Sequence, residues 1–237
     1  MDCCARELFL CVVEPTQEKL GVSHFLVRTG ASSGPAIMDP VSSERTVAIL
    51  AFDDMEVLDF SGPYEVFNVA GELGEGNPFR VFTVGLTGSP AVGRGGFTVL
   101  PTYSLDDAPA SDLLVVPGGA GTRPLLTDER LLAWLRDRGT EVELLLSVCT
   151  GSLLLARAGL LERRRATTHH GAYDELAAIS PSTQVVRGQR FVRSAETILT
   201  SAGVSAGIDL SLHAVQLLAG QETRDRTVAE MEWMWQS

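Results

Sequence analysis

The sequence predicts an α/β protein, a doubly wound domain with a mostly parallel sheet. Short apolar runs rich in branched residues recur along the chain, as strands buried on both faces require. Stretches with helical spacing separate them. Several of the runs end in glycine-rich turns, where strand hands over to helix.

In chain order, "TVAILAF" (Thr46–Phe52) reads as the first buried strand. "SGPYEVFNVAGEL" (Ser61–Leu73) reads as a helix, with Ser61 as its cap and a proline in its first turn. "FRVFTVGL" (Phe79–Leu86) is a strand, and "SPAVGRGGFTVLPTYSL" a hairpin excursion containing the strand "FTVL". "DLLVVPGG" (Asp112–Gly119) is a further strand that ends in a glycine loop. "TDERLLAWLRDRG" (Thr127–Gly139) is an amphipathic helix with Thr127 as cap and Gly139 as stop. "EVELLLSV" (Glu141–Val148) is a strand, followed by a helix that runs through Gly159. "RATTHH" and "TQVVRGQRFVRS" supply short strands. "ETILTSAGVSAGIDLSLHAVQLLAG" gives a strand, a glycine-rich turn and a long helix, and a last helix covers Asp225 to Trp235.

Residues 1–44 differ in character. "GASSGPAIMDPVSSER" (Gly30–Arg45) is small, polar and punctuated by prolines, so 1–44 reads as an extension or linker, disordered or not native, ahead of a domain at 45–237. Met38 lies just ahead of the first clear strand. The alternative is a genuine strand "LFLCVV" with a hairpin.

Thirty acidic against nineteen basic residues give a formal charge of −11, which argues against nucleic acid or an anionic membrane as partner. Cys3, Cys4, Cys11 and Cys149 show neither a disulfide framework nor zinc spacing, so a reducing cytoplasm is expected and no metal. The first residues do not read as a signal peptide, and no run reaches the roughly 18 apolar residues of a membrane-spanning helix.

Ligands of doubly wound domains bind at the carboxyl ends of the strands. One such end is "LLLSVCTGSLLLARAGLL", with Cys149 at the join of strand and helix. Free N–H groups and a partial positive charge at a helix start favour a thiolate, so a lowered pKa and a nucleophilic sulfur are expected. Gly151 suits a sharp turn that brings backbone close to a bound atom. At the second end, "VVPGGAGT", Gly118 and Gly119 leave backbone N–H groups uncovered, which suits a developing anion. No phosphate-binding pattern accompanies them. At the third, "FDDMEVLDFSGP", Asp59 lies between Leu58 and Phe60. It is either a carboxyl in an apolar setting, with a raised pKa, or the cap of the next helix. Asp53 and Asp54 fit a solvated turn.

"VLDFSGPYEVF", "VVPGGAGT", "SVCTGSLLLARAGLL", "RATTHHGAYDEL" and "TSAGVSAGIDLSLH", in that order, resemble the ThiJ/PfpI superfamily of class I glutamine amidotransferase-like domains. Within it they are similar to the branch that holds isonitrile hydratase and the sensor halves of AraC-type regulators. The resemblance covers roughly 45–235 and implies a flavodoxin-like sandwich and a homodimer. It places the nucleophile on Cys149, its acidic partner on Asp59 and the anion-stabilising N–H groups on Gly119 and Thr150. Protease-like members carry a histidine after the cysteine, whereas here the next residue is Thr150. Together with aspartate at 59, this is the hydratase-branch pattern. His169, twenty positions beyond Cys149, either approaches the thiol or is, with His170, a core or dimer-surface residue. The histidines are adjacent, so on a strand they point oppositely and share no metal. His213 reads as a core histidine and Asp209 as a structural residue of the helix it begins. The hydratase reads "RATTHWAY" where this chain has "RATTHHGAY", which implies a different substrate preference.

The function implied is hydration of a small-molecule isonitrile to an N-substituted formamide through a thioimidate on Cys149, with Gly118 and His169 beside the substrate. This chemistry requires no metal or organic cofactor. The alternatives are a ligand- or redox-sensing domain related to the regulators, or another thiol reaction such as glyoxal hydration or deglycation. The chain ends at "EMEWMWQS", without the roughly 100 residues that a helix-turn-helix pair needs, which counts against direct DNA binding.

Overall fold

The structure, a computed structural model, describes residues 44–234. The linker expected at 30–45 and the strand "LFLCVV" fall almost wholly outside the described residues. Seven strands form the main sheet in the order β10-β11-β7-β6-β1-β2-β5. They are β1 (Arg45–Ala51), β2 (Phe79–Gly85), β5 (Tyr103–Ser104), β6 (Leu113–Val116), β7 (Leu144–Ser147), β10 (Phe191–Arg193) and β11 (Ile198–Ser201). All neighbours are parallel except β10, which runs antiparallel to β11 on the edge. The mostly parallel doubly wound sheet expected from the sequence is therefore present. β6, β7 and β11 are buried at every position, which is why they read as unbroken apolar runs. The hairpin excursion appears as β3 (Ala91–Val92) paired with β4 (Thr98–Val99). The short strands β8 (Arg165–Ala166) and β9 (Gln184–Val185) pair beside the main sheet.

Two helices, α1 (Val57–Leu73) and α6 (Ala206–Glu230), pack on each other. The others, α2 (Thr122–Leu125), α3 (Glu129–Glu141), α4 (Gly151–Arg157) and α5 (Tyr173–Ile179), form the second layer, with α4 touching the other three. This division follows from right-handed crossovers that run in opposite directions along the sheet, from β1 to β2 and from β6 to β7. The chain order reverses between β1 and β6, and such a point opens a crevice beyond the strand ends.

Several boundaries differ from the sequence reading. α1 begins at Val57 rather than at Ser61, so Pro63 lies within it. Ser61 donates back to the carbonyl of Val57 at 2.9 Å instead of capping. Burial of Asp59 and Phe60 beneath the helix start outweighs the break signal of "SGP". α3 is capped by Asp128, whose Oδ1 accepts from the Leu131 N–H at 3.0 Å, and it continues through Gly139 to Glu141. Gly139 does not stop it, because the close approach of Leu145 and Leu160 favours a residue without a side chain inside the helix. α4 ends at Arg157, and Gly159 (φ 81°) lies in the turn beyond. The final helix is a continuation of α6 past a break at Gly220, and it ends at Glu230, not at Trp235.

Candidate active site

Four adjacent strands end at one place: β11, β7, β6 and β1. Each is followed by a segment that contributes to a cluster around Cys149. Three of these ends, those holding Asp59, Gly118–Gly119 and Cys149–Thr150, are the ones singled out in the sequence. The fourth, the turn Ala202–Ser205 after β11, is new.

Cys149 sits two residues beyond β7 with φ 56°, in the left-handed region. A non-glycine residue holds that conformation only when its surroundings fix it. Its N–H donates to the carbonyl of Ala202 at 3.1 Å. Its own carbonyl accepts from Thr168 Oγ1 at 2.9 Å and from Ser152 Oγ at 3.1 Å. Gly151 makes a close approach, but to the end of β6 rather than to a bound atom: a Cβ there would lie 2.1 Å from the carbonyl oxygen of Val116. The elbow is thus pressed onto the end of β6.

Asp59 lies in the first turn of α1 and is fully buried. It is not the helix cap, a position taken by Glu56. Its Oδ2 accepts from the Gly118 N–H and its Oδ1 from the Val204 N–H, both at 3.1 Å. The Cys149 thiol lies against this carboxyl, and the two act on each other's ionisation. Burial pushes the Asp59 pKa up to about 7, against the Cys149 thiol and the N–H groups of Gly118 and Val204, while the charge of Glu56 raises it further. The raised value expected for an apolar setting is therefore found.

The thiol departs from expectation. Burial first, and the Asp59 charge second, push Cys149 up to about 12, although the N–H groups of Thr150 and Val204 point to the sulfur and work the other way. A helix start alone would lower the value. A helix terminus contributes about 0.3–1 kcal/mol, under about one pH unit, whereas burial can shift a group by about 3–5 units. With Cys149 only 6% exposed, burial wins. The resting pair is a protonated thiol beside a carboxyl that titrates near neutrality, not a free thiolate.

Neither glycine N–H is idle. Gly118 donates to Asp59, and Gly119 donates to Thr150 Oγ1 at 2.9 Å. Thr150 is buried, and its hydroxyl also lies 3.3 Å from Thr122 Oγ1. Gly118 has no room for a side chain: a Cβ would stand 2.5 Å from the Thr150 nitrogen and 2.9 Å from Asp59 Oδ2.

His169 and His170 are not on a strand, so they do not point apart; their rings stand 4.1 Å apart between centroids. His169 Nδ1 accepts from the Gly171 N–H at 3.1 Å, and its ring lies against the α-carbon of Gly203. Burial, then His170 and Arg123, lower its pKa, which favours the neutral ring with its proton on Nε2. Arg123 pairs with Glu175 at 2.8 Å and also donates to the Gly119 carbonyl at 3.1 Å, while Arg94 pairs with Glu56 at 2.8 Å. His213 of α6 lies with its ring tilted against Phe191 of β10, 5.0 Å between centroids, and Asp53 and Asp54 are exposed. Among the described residues, no group of three or more His, Cys, Asp or Glu side chains converges as metal ligands would.

Sequence reasoning missed Val204 and Thr168. "RATTHH" drew attention to its histidines, yet Thr168 is the residue that fixes the Cys149 carbonyl. A valine at φ 52° could not be read from "SAGVSAG", because branched residues avoid that region.

A cysteine elbow paired with a buried carboxyl, at the switch point of a doubly wound sheet, defines a thiol-centred α/β domain of the amidotransferase-like kind. The chain belongs to the DJ-1/PfpI family, whose sequence pattern matches residues 45–217. It is 34% identical over 190 residues to the isonitrile hydratase of Pseudomonas putida, covering 79% of this chain and 78% of that one. It is 28% identical over 189 residues to the HTH-type transcriptional regulator GbdR of Pseudomonas aeruginosa, covering 79% of this chain but 50% of the regulator. A ThiJ/PfpI family protein from Pseudomonas syringae has the same fold, with a TM-score of 0.73 and 29% identity, covering 88% of this chain and 84% of that one.

Proposed function

We propose that the protein hydrates an isonitrile, R–N≡C, to the N-substituted formamide through a thioimidate on Cys149. One observation carries the reading: a buried thiol beside a buried carboxyl, each acting on the other's ionisation, with the Gly118 and Val204 N–H groups holding the carboxyl. The likeness to an isonitrile hydratase supports it.

The sulfur attacks the terminal carbon of the isonitrile as the Asp59 carboxylate takes the thiol proton. Asp59 then delivers that proton to the same carbon, giving Cys149–S–CH=N–R. Its pKa near 7 suits both halves of this transfer. Asp59, again ionised, draws a proton from an incoming water that attacks the thioimidate carbon, and the proton passes to the nitrogen. The resulting S–CH(OH)–NHR intermediate collapses with loss of the Cys149 sulfur, which regains the hydroxyl proton, and R–NH–CHO leaves. One isonitrile and one water give one formamide, with no change of redox state and no cofactor required. The Thr150 N–H steadies charge on the departing sulfur. The Gly119 N–H joins it when the Thr150 hydroxyl turns from its place. Gly118 and His169 stand beside the substrate.

The test is incubation with alkyl and aryl isonitriles and chromatography for the formamide. Wild type forms it, Cys149→Ala does not, and Asp59→Asn is slower by about 10²–10⁴-fold. Absence of formamide from wild type overturns the proposal. The likeness to a transcriptional regulator favours a second reading, a sensor domain that binds without turnover. It predicts a rise in melting temperature with a ligand that is recovered unchanged. We also place the protein in the cytoplasm as a homodimer. No described helix is long and apolar enough to cross a membrane.

A further inference from the structure

The end of the described chain returns to the start of α6. The buried Asp209 carboxylate accepts from Trp233 Nε1–H at 2.9 Å and is ion-paired with the Arg190 guanidinium. In one straight helix, residues 24 positions apart would stand about 36 Å from each other. They meet because Gly220 (φ 86°, ψ 167°) breaks α6 in a conformation open essentially to glycine alone, and the second half doubles back. The chain then turns once more. The N–H groups of Glu232 and Trp233 donate to the carbonyls of Ala229 and Val228 at 3.2 and 3.0 Å, with Glu232 (φ 47°) in the left-handed position of a Schellman closure. That closure delivers the indole to Asp209. Trp233 lies beyond residues 45–217, the part that matches the family.

Arg190 grips the same region from the edge of the sheet. Its guanidinium reaches Ser205 Oγ at 3.4 Å, and its carbonyl accepts from the Ala202 N–H at 2.7 Å. The Ala202 carbonyl accepts in turn from the Cys149 N–H at 3.1 Å. Both flanks of the Ala202–Ser205 turn are thus tied to Arg190. At its centre is Val204, a branched residue at φ 52°, a conformation that needs its neighbours to hold it. Its N–H is the group that meets Asp59 Oδ1 at 3.1 Å and faces the Cys149 sulfur.

We propose that Trp233, Asp209 and Arg190 are positioning residues that clamp the Ala202–Ser205 turn and so keep the Val204 N–H on the Cys149–Asp59 pair. The inference rests on that pair being the reacting centre, but not on the identity of the substrate. Around the pair, Glu56 ahead of α1 acts on Asp59 by its charge, and His169 beyond β8 packs on Gly203; the variants below alter neither.

The test is the rate at which iodoacetamide alkylates Cys149 in the full-length protein between about pH 5.5 and 9.5, a range that brackets Asp59, the group that takes the thiol proton, and an ordinary thiol. Peptide mass spectrometry counts Cys149 apart from Cys3, Cys4 and Cys11. The Val204 N–H stabilises the Asp59 carboxylate, so a loosened turn leaves fewer carboxylates to take the thiol proton at neutral pH. Trp233→Phe keeps the ring and loses the N–H. It moves the midpoint up by about half to one pH unit and slows alkylation at pH 7 by about 3–10-fold. Asp209→Asn moves it further in the same direction. Arg190→Lys falls between wild type and Arg190→Ala, and the remote Arg80→Ala leaves the profile unchanged. A folded Trp233→Phe protein with the wild-type midpoint and rate overturns the proposal, as does a lowered melting temperature with an unmoved midpoint. If Asp209→Asn does not fold, Trp233→Phe decides alone. Failure of the hydratase reading is separate, because no isonitrile enters this measurement.

Discussion

Asp59 shows how one buried group carries both chemistry and cost. Its pKa stands near 7 against an ordinary 3.8, and burial is the dominant cause. A carboxyl whose folded value is raised contributes stability that is complete below about pH 4 and is lost as the pH rises through about 7. The difference corresponds to about 3–4 kcal/mol between the two ends of that window. Asp59→Asn carries no charge to desolvate. Its stability relative to wild type therefore increases by about that amount between pH 4 and pH 8, whatever the constant cost of the altered hydrogen bonds. Urea unfolding at both pH values measures it, and parallel stabilities of the two proteins would disprove it. The apolar neighbours Leu58 and Phe60 point to burial of this carboxyl, but the sequence leaves a helix cap as an equal alternative, and only the structure decides between them. The thiol was misjudged because burial cannot be read from "SVCTGS". The strand-to-helix pattern signals a helix terminus, but not the walls that close over the sulfur.

At the level of elements, the strands were legible because their burial is uniform, and the errors gather where tertiary contact overrides a local signal. Ser61–Gly62–Pro63 reads as a helix start, yet α1 already runs at Val57. Gly139 reads as a helix stop, yet it packs between Leu145 and Leu160. The Ala202–Ser205 turn was recognisable from its glycines, but its role depends on a valine amide and on an indole from the far end of α6. Neither leaves a pattern in sequence. Gly151 reads as bringing backbone close to a bound atom, yet what it meets is the backbone of β6, and this gives a sharp expectation. In Gly151→Ala the new methyl meets the backbone of β6 at Val116 O, at 2.1 Å, and backbone cannot rotate aside as a side chain would. α4 must lift from β6, taking the elbow with it. Destabilisation of about 3 kcal/mol in chemical denaturation is expected, with a faster alkylation of Cys149 as the lifted elbow exposes the thiol. A variant with wild-type stability would show that the elbow is not pressed on β6.

For the whole molecule, the core of the described chain is closed from Glu44 onward. Arg45 pairs with Glu143 at 2.7 Å and donates to the Leu218 carbonyl at 3.4 Å, and Glu44 pairs with Arg80 at 2.9 Å. A chain starting at Met38 keeps all of these contacts. It is expected to match the full-length protein in melting temperature and in Cys149 alkylation, and loss of soluble protein would refute this. The surface gives the last expectation. Leu58, Tyr64, Phe97 and Leu100 are exposed, Leu100 by 70%. Tyr64, Phe97 and Leu100 gather round Phe60, which stacks on Tyr64 at 6.0 Å and meets Phe97 at 6.4 Å, above a cavity of about 350 Å³. Apolar surface gathered in this way seldom faces water on a monomer, and a second copy of the chain is the occupant expected of the family resemblance. Because the patch includes α1, which carries Asp59, pairing there would brace the helix that positions the carboxyl. Sedimentation should therefore find two copies in the wild-type particle. Leu100→Glu puts a charge into the patch without touching the core, so it should yield a folded monomer with a weakened affinity between copies of at least about tenfold, equivalent to about 1.4 kcal/mol. A wild-type protein that sediments as a monomer at high concentration, or a Leu100→Glu dimer indistinguishable from it, would place the interface elsewhere.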